Sequence, residues 1–165
     1  MRTLYLDASA VTKLLVVEEG SDVLRADVEG AILVTSRVAV VEVAKAVARV
    51  APGVSVLEAM ESFVFVELDA DLARSAAATG QPWLRALDAV HVASALLLGD
   101  ELGGFITYDS RQAEAARAQG LHVLSPGVDR RAMELAAAYG PAGDEWGASD
   151  DAGASETSAA DGIGA

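Results

Sequence analysis

Thr3-Leu4-Tyr5-Leu6-Asp7-Ala8-Ser9-Ala10-Val11 is a short β-branched and aromatic run that ends in an acid, after which a hydroxyl residue opens a helical apolar pattern. It reads as a strand, an Asp at the strand tip, and a helix. The pattern returns in Phe105-Ile106-Thr107-Tyr108-Asp109-Ser110, after the breaker Gly103-Gly104 and before a helical stretch from Arg111 to Gln119. Two strands therefore each deliver an Asp to their carboxyl ends. In an open parallel sheet, ligands bind beyond those ends, at the point where the strand order reverses.

Working outward, periodicity predicts strands near residues 3–6, 31–35, 63–67, 104–107 and 121–124, with helical segments filling the intervals. Such alternation means an α/β fold with a parallel sheet. Pro52-Gly53 splits a helix at roughly Arg37 to Val50 from another at Ser55 to Ser62. Gly80-Gln81-Pro82 likewise separates a helix near 70–79 from one near 85–98. Ser125-Pro126-Gly127 precedes a last helix from about Val128 to Tyr139.

With 165 residues, 52% of them hydrophobic, the chain can bury one good core but is too short for two ordinary domains. It has no cysteine, which removes disulfides and thiolate zinc sites and fits a reducing compartment. The first apolar run is broken at Asp7, so no signal peptide is expected, and no stretch reaches the ~18 apolar residues of a membrane span. The expectation is a cytoplasmic protein. Net charge is −13, but six acids lie after Tyr139 with no Lys or Arg among them. Residues 1–139 hold 19 acids and 12 bases, a net −7. The expected division is a folded domain over 1–139 and an acidic disordered tail over 140–165, where Gly, Ala, Ser and Asp offer too little apolar surface to offset chain entropy. An acidic body disfavours broad electrostatic binding of nucleic acid, so any nucleic acid must be held by a local basic rim or through metal ions.

Two more acids sit where a carboxylate is unusual. Glu42 interrupts the apolar run Val38-Ala39-Val40-Val41-Glu42-Val43-Ala44, with Lys45 and Arg49 on the same helical face. It reads either as part of a solvated Glu–Lys stripe worth about 0.2–0.5 kcal/mol or as a ligand facing the sheet edge. Asp88 lies in Leu84-Arg85-Ala86-Leu87-Asp88-Ala89-Val90-His91-Val92, so apolar that a buried carboxylate needs compensation from the helix N-terminus or a cation. His91 reads as a core or rim histidine, not a ligand. Asp7 and Ser9 could each be a simple helix cap and Thr107 a simple strand residue. As functional residues, the two hydroxyls would hold a carboxylate in place.

Leu6-Asp7-Ala8-Ser9, Val41-Glu42-Val43-Ala44-Lys45, Leu84-Arg85-Ala86-Leu87-Asp88-Ala89-Val90-His91 and Ile106-Thr107-Tyr108-Asp109, taken together, resemble a PIN-domain ribonuclease of the VapC toxin type, over residues 2 to about 126. The resemblance implies a three-layer α/β/α fold with a five-stranded parallel sheet in order 3-2-1-4-5. It also implies an acidic pocket binding Mg²⁺ or Mn²⁺ for RNA cleavage. The family's acids fall on Asp7, Glu42, Asp88 and Asp109, as metal ligands and catalytic residues, with Ser9 and Thr107 in support. The resemblance further implies a homodimer and a cognate antitoxin whose carboxyl-terminal segment enters the groove. The last helix and the acidic tail exceed the family's usual domain end.

Charge arithmetic supports the cation independently, because unit negative charges a few Å apart repel by about 4 kcal/mol per pair at an effective dielectric of 20. All-oxygen ligands suit Mg²⁺ or Mn²⁺ better than zinc. Lys13, Lys45, Arg85 and Arg111 are candidates to line an RNA path. No DNA-binding module is visible. A haloacid dehalogenase would need a second Asp where Ser9 stands, and a receiver domain would need a Lys near Leu124-Ser125-Pro126. The remaining alternative is a non-catalytic PIN-like module that binds metal or RNA without turnover.

Overall fold

The computed structural model describes residues 1–128. The helix expected from Val128 to Tyr139, apart from its first residue, and the acidic tail lie outside the described residues. Five parallel strands, β1 (Thr3–Leu6), β2 (Ile32–Ser36), β3 (Val64–Val66), β4 (Leu102–Ile106) and β5 (Val123–Leu124), form one sheet in the order β3-β2-β1-β4-β5. The helices are α1 (Ala8–Leu15), α2 (Ser21–Val28), α3 (Val38–Val50), α4 (Val56–Ala59), α5 (Ala70–Ala78), α6 (Ala86–Leu96) and α7 (Ser110–Ala118), with a 3₁₀ turn at Gly99–Glu101. Among the described residues no helix is long and apolar enough to cross a membrane.

β1 is the central strand, and its alternation sorts the two layers. Leu4 and Leu6 face a core completed by Val11 of α1, Leu24 of α2 and Val43 and Val47 of α3. Tyr5 faces the opposite core, with Val92 and Ala95 of α6, Ala116 of α7 and Phe105 of β4. Leu4, Tyr5 and Leu6 are fully buried, as expected of a parallel strand covered on both faces.

Three details depart from the expected outline. The interval after β1 holds two helices, divided at Gly20, whose φ of 77° is a left-handed conformation that a side chain disfavours. α4 is a single turn, shorter than the helix expected to Ser62. Gly103 and Gly104 lie inside β4 and do not precede it. The β1–β4 register slips between Thr3↔Leu102 and Leu4↔Gly104, which is a bulge. A Cβ on Gly103 would come within 2.8 Å of Arg2 Cγ, and one on Gly104 within 2.7 Å of Leu124 Cδ1. The glycine pair lets three strands close up, a strand role that turn statistics hide.

β1 leads to β2 on one side, while β4 lies on the other, so the order reverses between β1 and β4. Leu6 is in register with Ile106, and Asp7 N donates to Ile106 O at 3.1 Å. The two strand tips that carry Asp7 and Asp109 are thereby neighbours.

Candidate functional site

Asp7 is both a helix cap and the most enclosed acid of the edge. As N-cap of α1 it accepts Ala10 N at 2.8 Å and Ser9 Oγ at 2.7 Å on Oδ1, while Thr107 Oγ1 donates to Oδ2 at 2.6 Å. Ser9 Oγ also accepts Tyr108 N at 2.9 Å, and Thr107 Oγ1 accepts Asp109 N at 3.1 Å. The two hydroxyls lace the β1 tip to the β4 tip. Burial pushes the Asp7 carboxyl above its ordinary value, against the opposing pull of His91 and the hydrogen bonds from Thr107, Ser9 and Ala10.

Asp109 caps α7, accepting Arg111 N at 2.8 Å and Gln112 N at 3.0 Å. Asp88 lies in the first turn of α6, and its Oδ2 is buried with no hydrogen-bond partner. Burial, then repulsion from Asp109, and more weakly from Glu42, push its carboxyl up, while Arg85 and His91 pull it down. Glu42, on α3, pairs with His91 Nε2 at 2.9 Å; the Glu–Lys stripe with Lys45 is not its arrangement. Among the described residues, no three acidic or histidine side chains converge tightly enough to form a ready-made metal cage. Three of the four carboxylates are aimed at protein donors: Asp7 at hydroxyls, Asp109 at backbone N–H groups, and Glu42 at an imidazole. Asp88 Oδ2 is the exception, a buried charge-bearing oxygen of a kind that needs a partner.

The donor set suits a hard divalent cation. It is all carboxylate, with hydroxyls behind it, and Asp88 Oδ2 is an oxygen such an ion would satisfy. Asp7, Glu42, Asp88 and Asp109 are the residues that could hold it.

The basic candidates separate. Lys45, Arg85 and Arg111 are exposed, Arg85 three residues before Asp88 and Arg111 two after Asp109. Lys13 is instead buried, its ammonium donating to Glu18 Oε1 at 3.0 Å and lying 4.9 Å from the centre of the Tyr108 ring. With Ser9, Glu42 and Tyr108 it lines a pocket beside the acids.

Two buried residues make contacts that the local sequence does not announce. Gln112, 1% exposed, places its Oε1 3.0 Å from Thr107 Oγ1. A hydroxyl has one proton, so Thr107 serves either Asp7 or Gln112. The 2.6 Å contact to Asp7 takes it, and the Gln112 amide turned over donates its NH₂ to Thr107, relinquishing a long 3.5 Å contact to Asp88 O. The spacing Asp109-x-x-Gln112 matches a capping box, which would send the Gln side chain back to the cap. Here only the backbone half of that motif forms. The other residue is His91, 1% exposed, whose contacts with Tyr5 and Glu42 depend on strand and helix placement that its local sequence does not carry.

The family model described as PIN domain matches residues 4–118. Ribonuclease VapC35 of Mycobacterium tuberculosis (strain H37Rv) is 38% identical over 140 residues, covering 77% of this chain and 99% of its own. Ribonuclease VapC46 of the same strain is 35% identical over 131 residues, covering 76% of this chain and 99% of its own. Ribonuclease VapC47 of strain CDC 1551 is 34% identical over 138 residues, with 77% and 99% covered.

Proposed function

The chain belongs to the PIN-domain family, and on that premise we propose that it is a Mg²⁺- or Mn²⁺-dependent endoribonuclease, the toxin of a toxin–antitoxin pair. The observation that carries this reading is the placement of Asp7 and Asp109 on adjoining strand tips, with Asp88 Oδ2 buried and unpartnered and its carboxyl within the influence of Asp109 and Glu42.

In this reading Asp7, Glu42, Asp88 and Asp109 hold the cation. When bound, it supplies positive charge against the scissile phosphate and lowers the pKa of an attacking water. Ser9 and Thr107 fix the Asp7 carboxylate by donating to its two oxygens, so its orientation is set before substrate arrives. Asp109, already spending Oδ1 on the α7 N-terminus, is the acid best placed to orient water with its second oxygen. Lys45, Arg85 and Arg111 border the RNA path as phosphate contacts, offsetting the acidic body locally. Lys13, buried with its ammonium spent on Glu18 and the Tyr108 ring, is left out of that path.

The relatives' names speak of ribonucleases; the partners are our reading. A basic side chain of a cognate antitoxin would complement the four carboxylates, and a homodimer would set two such edges in one assembly.

The test is cleavage of total cellular RNA by protein stripped with chelator, with Mg²⁺ or Mn²⁺ returned and Asp7→Asn alongside. Cleavage restored by metal and lost in the variant supports the nuclease. Metal binding with no cleavage of any RNA leaves the non-catalytic PIN-like module.

A further inference from the structure

Behind the four acids runs a buried polar chain with no part in the reading above. Tyr5 Oη lies 2.9 Å from His91 Nδ1, and His91 Nε2 lies 2.9 Å from Glu42 Oε2. Tyr5 and His91 are 0% and 1% exposed. The phenol is clamped on the far side by Phe105, stacked at 5.4 Å and 5°, and meets the imidazole edge-on at 5.9 Å. The chain thus starts in the core under β1 and ends at the acidic edge.

The proton inventory gives it a direction. An ionised carboxylate only accepts hydrogen bonds, so the ring nitrogen 2.9 Å from Glu42 Oε2 must carry a hydrogen. In the neutral ring that hydrogen sits on Nε2, which leaves Nδ1 bare to accept from the Tyr5 hydroxyl. In the charged ring Nε2 carries a hydrogen as well. Either way an N–H points at Glu42.

Glu42 needs such a hold more than its companions. Asp7 and Asp109 are short side chains fixed by helix N-termini, whereas Glu42 has an extra rotatable bond, sits mid-helix and is partly exposed. Lys45 and Arg49, three and seven residues on, offer exposed charges toward which it could swing.

We propose that His91, backed by Tyr5, is a positioning residue that fixes the Glu42 carboxylate toward the acidic edge for cation binding. The inference rests on the proposed metal-dependent function, and it assigns the reaction a third layer of support reaching into the core. Neither Tyr5 nor His91 touches substrate.

The test reads Mn²⁺ affinity by calorimetry in the wild type, Tyr5→Phe, Glu42→Gln and the double variant, with thermal unfolding run on each. Tyr5→Phe keeps the ring stack and removes one hydroxyl. It is expected to weaken Mn²⁺ about tenfold in the wild-type background, the lower end for losing a group behind a metal ligand. In the Glu42→Gln background it is expected to change nothing, because the relay then ends on no ligand. Equal weakening in both backgrounds, or none in either, overturns the relay. His91→Gln, whose amide nitrogen can take the place of Nε2, should retain affinity within about threefold while His91→Leu loses about tenfold or more. Equal loss in these two also overturns it. A wild type that binds no Mn²⁺ removes the proposed function and this inference with it. That outcome is distinct from a wild type that binds while Tyr5→Phe is silent.

Discussion

Thr107 Oγ1 donates to Asp7 Oδ2 at 2.6 Å, joining residues 100 positions apart in the chain. The bond ties the tip of β4 to the tip of β1 where the strand order reverses, and one hydroxyl thereby orients the most buried acid of the site. Thr107→Val keeps the shape and removes the donor, leaving Asp7 Oδ2 and Asp109 N short of a partner. Equilibrium urea unfolding is expected to show a loss of about 1–3 kcal/mol, with Thr107→Ser near wild type.

Asp88 is the acid of the site with a buried oxygen that no protein donor reaches. In the metal-free protein, Asp88→Asn should raise the melting temperature by a few degrees at neutral pH while abolishing stabilisation by added Mn²⁺. The folded carboxyl sits above its ordinary 3.8, so the folded state holds the proton more tightly than the unfolded chain does. That contribution is complete below 3.8 and disappears as pH rises through the raised value. The stability gap between Asp88→Asn and wild type should therefore vanish in acid and open as pH rises. Thermal unfolding across a pH series checks it.

Gln112 is buried against Thr107, between the helices that carry Asp88 and Asp109. Gln112→Glu would place an unpaired charge beside three acids and should cost on the order of 3 kcal/mol. Gln112→Met should cost less, because the volume is kept and Thr107 still serves Asp7. Denaturant midpoints for the two variants at neutral pH give the comparison.

The basic residues divide by burial, and their phenotypes should divide with them. Arg85→Ala and Arg111→Ala should raise KM for RNA with kcat little changed, and each should reduce the salt dependence of RNA binding by about one unit of slope. Lys13→Ala should instead lower stability, since its ammonium is spent on Glu18 and the Tyr108 ring. Cleavage kinetics at two salt concentrations, with melting temperatures alongside, separates the two behaviours.

The legible parts of this chain are those in which local pattern and global role agree. Leu4, Tyr5 and Leu6 read as a strand because a strand buried on both faces is apolar throughout, and Asp7 reads as its tip because a cap and a site acid share one position. Gly103 and Gly104 misread as a breaker, since the reason for them is the close approach of Arg2, Leu4 and Leu124 from two neighbouring strands. His91 read as a core histidine, and it is one, but what it does there depends on Tyr5 and Glu42. Gln112 carried a capping-box spacing whose side chain turned inward.

From the sequence alone came the alternation of strands and helices, the parallel sheet, the four acids, and the family they resemble. The first three follow from periodicity and residue type over a few turns of chain, and the family from the likeness of four motifs taken together. The tertiary structure alone decided that Thr107, 100 residues away, reaches Asp7 Oδ2; that Lys13 is tied down while Arg85 and Arg111 stay exposed; and that a phenol in the core meets the imidazole that contacts Glu42. Those outcomes depend on directional hydrogen bonds of about 3 Å between residues far apart in the chain, and their geometry is set only when the sheet closes.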